Sequence, residues 1–123
     1  WRAATGQQAT WVVADTLTDD ALGEICVMDL LGLDTTTGEI GYAVHPDARG
    51  QGVVSAALTA VVEHALDPGG LDRRRLTAAA AAGNDASLAA LRAAGFTPSG
   101  RQTAAEPLGD GTYADLLELE LLR

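Results

Sequence analysis

Lysine is missing from this 123-residue chain. Its eight basic side chains are all arginine, against 17 acidic ones, for a formal net charge of −9. Duplex nucleic acid is a poor partner for such a surface, because that affinity rests on cations neutralising phosphates. The charge suits a cationic peptide or amine, or simply solubility. A single cysteine, Cys26, excludes an internal disulfide framework and any cysteine-based zinc cluster. It sits in the apolar run Ile25-Cys26-Val27, which reads as a buried, inert thiol and fits a reducing cytoplasm. No apolar run approaches the roughly 20 residues that span a bilayer, so no membrane partner is expected. Trp1 to Thr10 shows no signal-peptide pattern. The chain opens on Trp1 rather than Met, as a fragment or processed chain would.

Hydrophobic residues make up 47% of the chain, enough for one globular domain over residues 1–123. Its most informative stretch is Gly41-Tyr42-Ala43-Val44-His45-Pro46-Asp47-Ala48-Arg49-Gly50-Gln51-Gly52. A strand-like run ends at Pro46, a glycine-containing turn follows, and Gln51 to Leu66 reads as a helix with Val54, Leu58, Val61, Val62 and Ala65 on one face. Glycines let the backbone approach a ligand closely, and the first helical N–H groups have no partner inside the helix. With the helix dipole and Arg49, the arrangement suits a phosphorylated cofactor.

Elsewhere Ala9 to Asp15, Ala21 to Leu30 and Glu39 to Val44 read as strands, with a turn over Thr16 to Asp20, a bulge at Gly23 and a loop from Leu31 to Gly38. Arg73 to Ala82 is rich in alanine and could be helical by propensity. Its position between two helices, bounded by glycines, favours a crossover strand. Asn84 caps a second helix, Asp85 to Ala94, which Gly95 closes. Phe96 to Thr103 and Tyr113 to Leu122 form an antiparallel pair around Gly109-Asp110-Gly111. The order β-β-β-α-β-α-β-β implies a mixed α/β fold, antiparallel in its first half and with one crossover.

Three blocks together resemble the GNAT family of N-acetyltransferases, and within it the RimJ/RimL-like branch that acetylates ribosomal-protein N-termini. They are Glu39 to Pro46, Arg49-Gly50-Gln51-Gly52, and Gly83-Asn84-Asp85-Ala86-Ser87 followed by Ala93-Ala94-Gly95-Phe96. The resemblance implies a mixed, mostly antiparallel sheet flanked by helices, with the family's N-terminal strand and helices missing from this chain. It implies direct acetyl transfer from acetyl-CoA to a primary amine, either a protein N-terminus or a small molecule.

Carried over residue by residue, the resemblance gives Val44 backbone contacts to the pantetheine arm. The backbone from Arg49 through Gly50, Gln51, Gly52 and Val53 to Val54 would cradle the pyrophosphate. Asn84 would bond the cofactor arm, and Ser87 would sit near the sulfur as proton donor. Glu39 is the strand's only carboxylate and the candidate base through water. Each also has a plainer reading: Arg49 a solvated charge, Asn84 and Ser87 helix-start residues, Glu39 an exposed strand residue. Tyr113 and Asp115 are weaker candidates for the acceptor side.

His45 reads as structural or surface and has no second ligand nearby, so no metal is expected; His64, late in a helix, reads as a solvated residue favoured by the dipole. The chain departs from the family pattern at Val54, where glycine or alanine is usual, and at Leu76 to Ala80, which lacks the carboxylate many relatives carry. Those departures keep a non-catalytic acyl-CoA-binding domain as the alternative. A homodimer is common in this branch, and an open sheet edge left by a missing first strand would encourage pairing with a second chain; the oligomeric state stays open. A dinucleotide-binding enzyme is disfavoured by the absence of Gly-x-Gly-x-x-Gly.

Overall fold

The computed structural model describes residues 8–15, 17–28, 36–45 and 53–123. Eight elements follow one another: β1 (Ala9–Ala14), β2 (Ala21–Met28), β3 (Thr37–Val44), α1 (Val53–Leu66), β4 (Arg75–Ala81), α2 (Asp85–Ala93), β5 (Thr97–Pro107) and β6 (Tyr113–Leu122). The strands form one sheet of order β1-β2-β3-β4-β6-β5. Every pairing is antiparallel except β3 with β4. The α/β reading therefore holds, with the crossover at α1.

Local chemistry accounts for most boundaries. In β1, Ala9, Trp11 and Val13 turn inward while Thr10, Val12 and Ala14 face out, the period of two that a half-buried strand requires. The Asp15 carboxylate accepts the Leu17 and Thr18 N–H groups at 2.7 and 3.1 Å and so closes the turn to β2. Val13 lies opposite Gly23 and Ala14 opposite Ala21, which makes Leu22 the extra residue; the bulge sits one position before the expected Gly23. In α1, Leu58, Val61, Val62 and Ala65 are all buried. After it, Gly70 is obligatory, because a Cβ there would lie 2.1 Å from the His64 carbonyl oxygen.

The alanine-rich segment is a strand. Leu76, Ala78 and Ala80 are buried and alternate with Thr77 and Ala79, so tertiary packing overrides helix propensity. In α2 the Asn84 side chain accepts the Ser87 N–H at 3.3 Å, and Gly95 closes the helix at φ +104°. Both helices cover one face of the sheet. The core between them includes Ile25, Val27, Ile40, Leu58, Leu76, Leu91, Phe96 and Leu119.

Two expected boundaries are corrected. The third strand begins at Thr37, not Glu39, because Thr37 and Gly38 already pair with Arg75 and Leu76. Gly38 marks close packing rather than a loop end: a Cβ there would come within 2.9 Å of Val27. The fifth strand runs past Thr103 to Pro107 through an irregularity at which Ala104 adopts φ 50°. The Asp115 carboxylate holds that residue by accepting its N–H at 2.9 Å.

Candidate active site

The two edges of β4 behave differently. Against β6 it pairs along its whole length, Arg75 with Leu122 through Ala81 with Leu116. Against β3 it pairs only at Thr37–Arg75, Gly38–Leu76 and Glu39–Thr77. Beyond Glu39 the two parallel strands part, although β3 continues to Val44, still paired with β2. A gap results between Ile40–Val44 and Ala78–Ala81.

Hydrogen-bond parity fixes what lines this gap. His45 N donates to Leu22 O at 2.8 Å, so odd-numbered β3 residues address β2. Arg75 N donates to Thr36 O at 3.3 Å, so even-numbered residues address β4. The Ile40 N–H still completes the Glu39–Thr77 pair on Thr77 O; the Ile40 C=O and the N–H and C=O groups of Tyr42 and Val44 therefore point into the gap. Ala82 N donates to Asp115 O at 2.8 Å, which by the same rule turns Ala79 and Ala81 toward the gap from the other side. Ala81 O accepts the Asn84 N–H at 3.0 Å, and among the described residues the other groups meet no strand partner. Peptide groups left in this way demand water or a ligand.

The gap opens onto both faces of the sheet. On the helix face, the Tyr42 hydroxyl lies 2.5 Å from Ser87 Oγ and donates at 3.2 Å to Ser87 O. Asn84 and Ser87 open α2, which follows β4 directly. On the other face lies a cavity of ≈ 320 Å³ whose walls include Glu39, Thr77, Gln102, Leu116 and Glu118. Arg75 reaches its rim, but both the Nε and Nη2 atoms of that side chain bond Glu120 Oε2, at 3.1 and 2.9 Å. Gln102 Nε2 donates to Glu118 Oε1. Glu39 forms no ion pair among the described residues, so the cavity is left with net negative charge.

The structure brings Val44, Asn84 and Ser87 to the same gap. Glu39 sits at its closed end, in the last β3–β4 pair, and faces the cavity rather than Ser87. Arg49, Gly50, Gln51 and Gly52 lie outside the described residues. Val53 and Val54 begin α1, and their side chains lie outside the description too.

Tyr42 was not singled out from sequence. The available signal was its alternation with buried Ile40, since a half-buried phenol needs a polar partner. Asp115 is occupied by Arg101 and the Ala104 N–H, which hold its carboxyl below the usual carboxylate range, the backbone bond contributing most. Tyr113 is exposed. Cys26 is buried, and burial pushes its thiol up, away from nucleophilic thiolate. His45 is exposed, and His64 packs edge-on to Trp11 with ring centroids 5.9 Å apart. Among the described residues no helix is long and apolar enough to cross a membrane.

Comparison with known proteins bears on the family and the fold. The family model described as "Acetyltransferase (GNAT) domain" matches residues 1–97, which include β3, β4 and α2. No curated protein matches the chain by sequence. Among solved structures, a single-residue variant of the spermidine N-acetyltransferase SpeG from Vibrio cholerae is similar with a TM-score of 0.81 at 15% identity, over 96% of this chain and 67% of that one. A dodecameric structure of spermidine N-acetyltransferase from Vibrio cholerae gives 0.81 at 16% identity, over 96% and 66%. A probable acetyltransferase gives 0.73 at 27% identity, over 85% of this chain and 57% of that one. This chain thus spans about two thirds of the length of the spermidine enzymes.

Proposed function

Because the chain belongs to the acetyltransferase (GNAT) domain family, we propose that the gap between β3 and β4 receives acetyl-CoA and that its acetyl group passes directly to a primary amine. The observation that carries this reading is the early end of β3–β4 pairing. It leaves peptide groups of Tyr42 and Val44 on one strand and of Ala79 on the other directed at a slot with no strand partner among the described residues. The pantetheine arm of the cofactor is extended and carries amides, so it can bond these edges as an added strand would.

Several of this chain's residues then have roles. The Val44 backbone bonds the arm from the β3 lip. Asn84 and Ser87 meet it at the start of α2. The segment Arg49 to Gly52 and the first N–H groups of α1, at Val53 and Val54, hold the pyrophosphate. The backbone N–H groups lining the slot polarise the thioester carbonyl as negative charge develops on its oxygen.

The acceptor enters from the opposite face, through the cavity. Its lining carries Glu39 and Glu118. An amine arrives as a cation and must lose a proton before it attacks. Glu39, at the closed end of the slot, takes that proton directly or through one water. The negative lining favours a small cationic amine, the kind of acceptor named for the spermidine enzymes, over a protein N-terminus of the RimJ/RimL kind.

The test has two parts. Acetyl-CoA at about 100 times its Kd should stabilise the fold by ~2.7 kcal/mol, and NAD should not. Glu39→Gln should then lower kcat by about 100-fold or more while leaving that stabilisation intact. The alternative, a non-catalytic acyl-CoA-binding domain, draws on β4 itself, whose sequence Arg75 to Ala81 has no carboxylate. A ligand-dependent melting shift without transfer to any amine would favour it.

A further inference from the structure

Acetyl transfer leaves the cofactor sulfur with an electron pair and no proton. On the helix face of the gap the described residues place two hydroxyls, Tyr42 and Ser87, 2.5 Å apart. They belong to opposite lips: Tyr42 to β3, Ser87 to the first turn of α2 directly beyond β4. Their bond closes the helix side of the slot, opposite the cavity that holds Glu39.

The pair has two arrangements. In one, the phenol donates to Ser87 O at 3.2 Å and Ser87 Oγ–H donates back to the phenol oxygen. In the other, the phenol donates to Ser87 Oγ, and the serine proton is free to turn into the slot. We infer that Tyr42 supplies, through Ser87, the proton that the departing thiolate takes up; this rests on the acetyl-transfer reading above.

The step balances. The amine nitrogen forms a bond to the acetyl carbon, the C–S bond breaks, and its electron pair goes to sulfur. Ser87 Oγ–H gives its proton to the sulfur, Tyr42 O–H reprotonates Ser87 Oγ, and water restores the phenol. The proton lost by the amine leaves on the other face, at Glu39. By ordinary values, ~10 for phenols and ~8.5 for thiols, the transfer from phenol to sulfur is a short uphill step, and reprotonation of the phenol by water completes it. Tyr42 acts through Ser87 and is therefore a positioning and relay residue.

Tyr42→Phe keeps the ring and removes only the hydroxyl. With acetyl-CoA and spermidine as probes, or the best amine of a panel of primary amines, kcat should fall at least ~10-fold while KM for acetyl-CoA stays within about 2-fold. Melting with saturating acetyl-CoA should match that of the unchanged protein. Ser87→Ala should lose as much, and the double variant little more, because the two hydroxyls work as a unit.

Unchanged kcat in Tyr42→Phe, or a loss confined to KM, would overturn the inference and leave the acetyl-transfer reading standing. Additive losses in the double variant would also overturn it, since separate structural roles add. An unchanged protein that neither binds acetyl-CoA nor acetylates any amine of the panel would instead overturn the acetyl-transfer reading, and this inference with it.

Discussion

Strand β4 has two edges with opposite fates. Against β6 it is paired over its full length, and its buried residues Leu76, Ala78 and Ala80 seat the helices. Against β3 it is paired only up to Thr77, and beyond that its peptide groups face a slot. The same seven residues thus serve stability through one edge and, in the function proposed here, ligand binding through the other. Alternation makes this separable: even-numbered residues address β6 and odd-numbered ones address the slot. In the proposed function the backbone direction carries the binding, so an almost featureless alanine run can line the slot.

The sharpest way to break the comparison is to damage the paired side alone. Leu76→Ala, at a position with no exposed surface, should cost ~2–5 kcal/mol in denaturant unfolding, because the well-packed core can only partly close the cavity. A cost below ~1 kcal/mol would mean that the core is looser than its burial implies.

Proline scanning tests the alternation itself. Ala80→Pro removes an N–H from the β6 ladder and strands its acceptor. It should cost ~1–3 kcal/mol more than Ala79→Pro, whose lost N–H faces the slot. Ala79→Pro should instead weaken acetyl-CoA binding. Equal destabilisation by the two prolines would contradict the assigned parity.

Acid should act on the hairpins rather than on the slot. Asp115, Asp110 and Asp15 are each held below the usual value of 3.8: Asp115 mainly by the Ala104 N–H, Asp110 by the Thr112 hydroxyl and N–H, Asp15 by the Leu17 and Thr18 N–H groups. Because their folded values lie below the unfolded ones, their stabilisation is complete above about pH 4 and drains away as pH falls through the lower folded values. Asp115→Asn should flatten the acid limb of the stability profile; an unchanged limb would remove Asp115 from this account. The smallest effect belongs to Arg75–Glu120, a 2.9 Å pair with both side chains one-third exposed. Replacing Arg75 with Met should change stability by no more than ~1 kcal/mol.

How much of this was written in the sequence depends on how far apart the cooperating residues lie. The α1 face, the Asn84 cap and the Gly95 stop are local patterns, and each was legible. The start of β3 was not, because Gly38 resembles a loop glycine until Val27 is seen against it. The length of β5 was hidden for a similar reason: Ala104 holds its left-handed turn through Asp115, 11 residues on. The slot depended on how far β3 and β4 stay paired, a quantity that neither strand's pattern encodes. Tyr42 meets Ser87 across 45 residues, so only the folded chain joins them. Glu39, Asn84 and Ser87 were read from motifs, and the structure adds which face of the sheet each one serves.

The central claim is that the slot between β3 and β4 takes acetyl-CoA, and amide hydrogen exchange at single residues tests it most directly. Adding acetyl-CoA should slow exchange at Tyr42 and Val44 and at Ala79 and Ala81. The intervening Gly41, Ala43 and Ala80, already paired with neighbouring strands, should change little. Uniform change along both strands, or none at the slot-facing residues while the cofactor is bound, would place acetyl-CoA elsewhere and contradict the account.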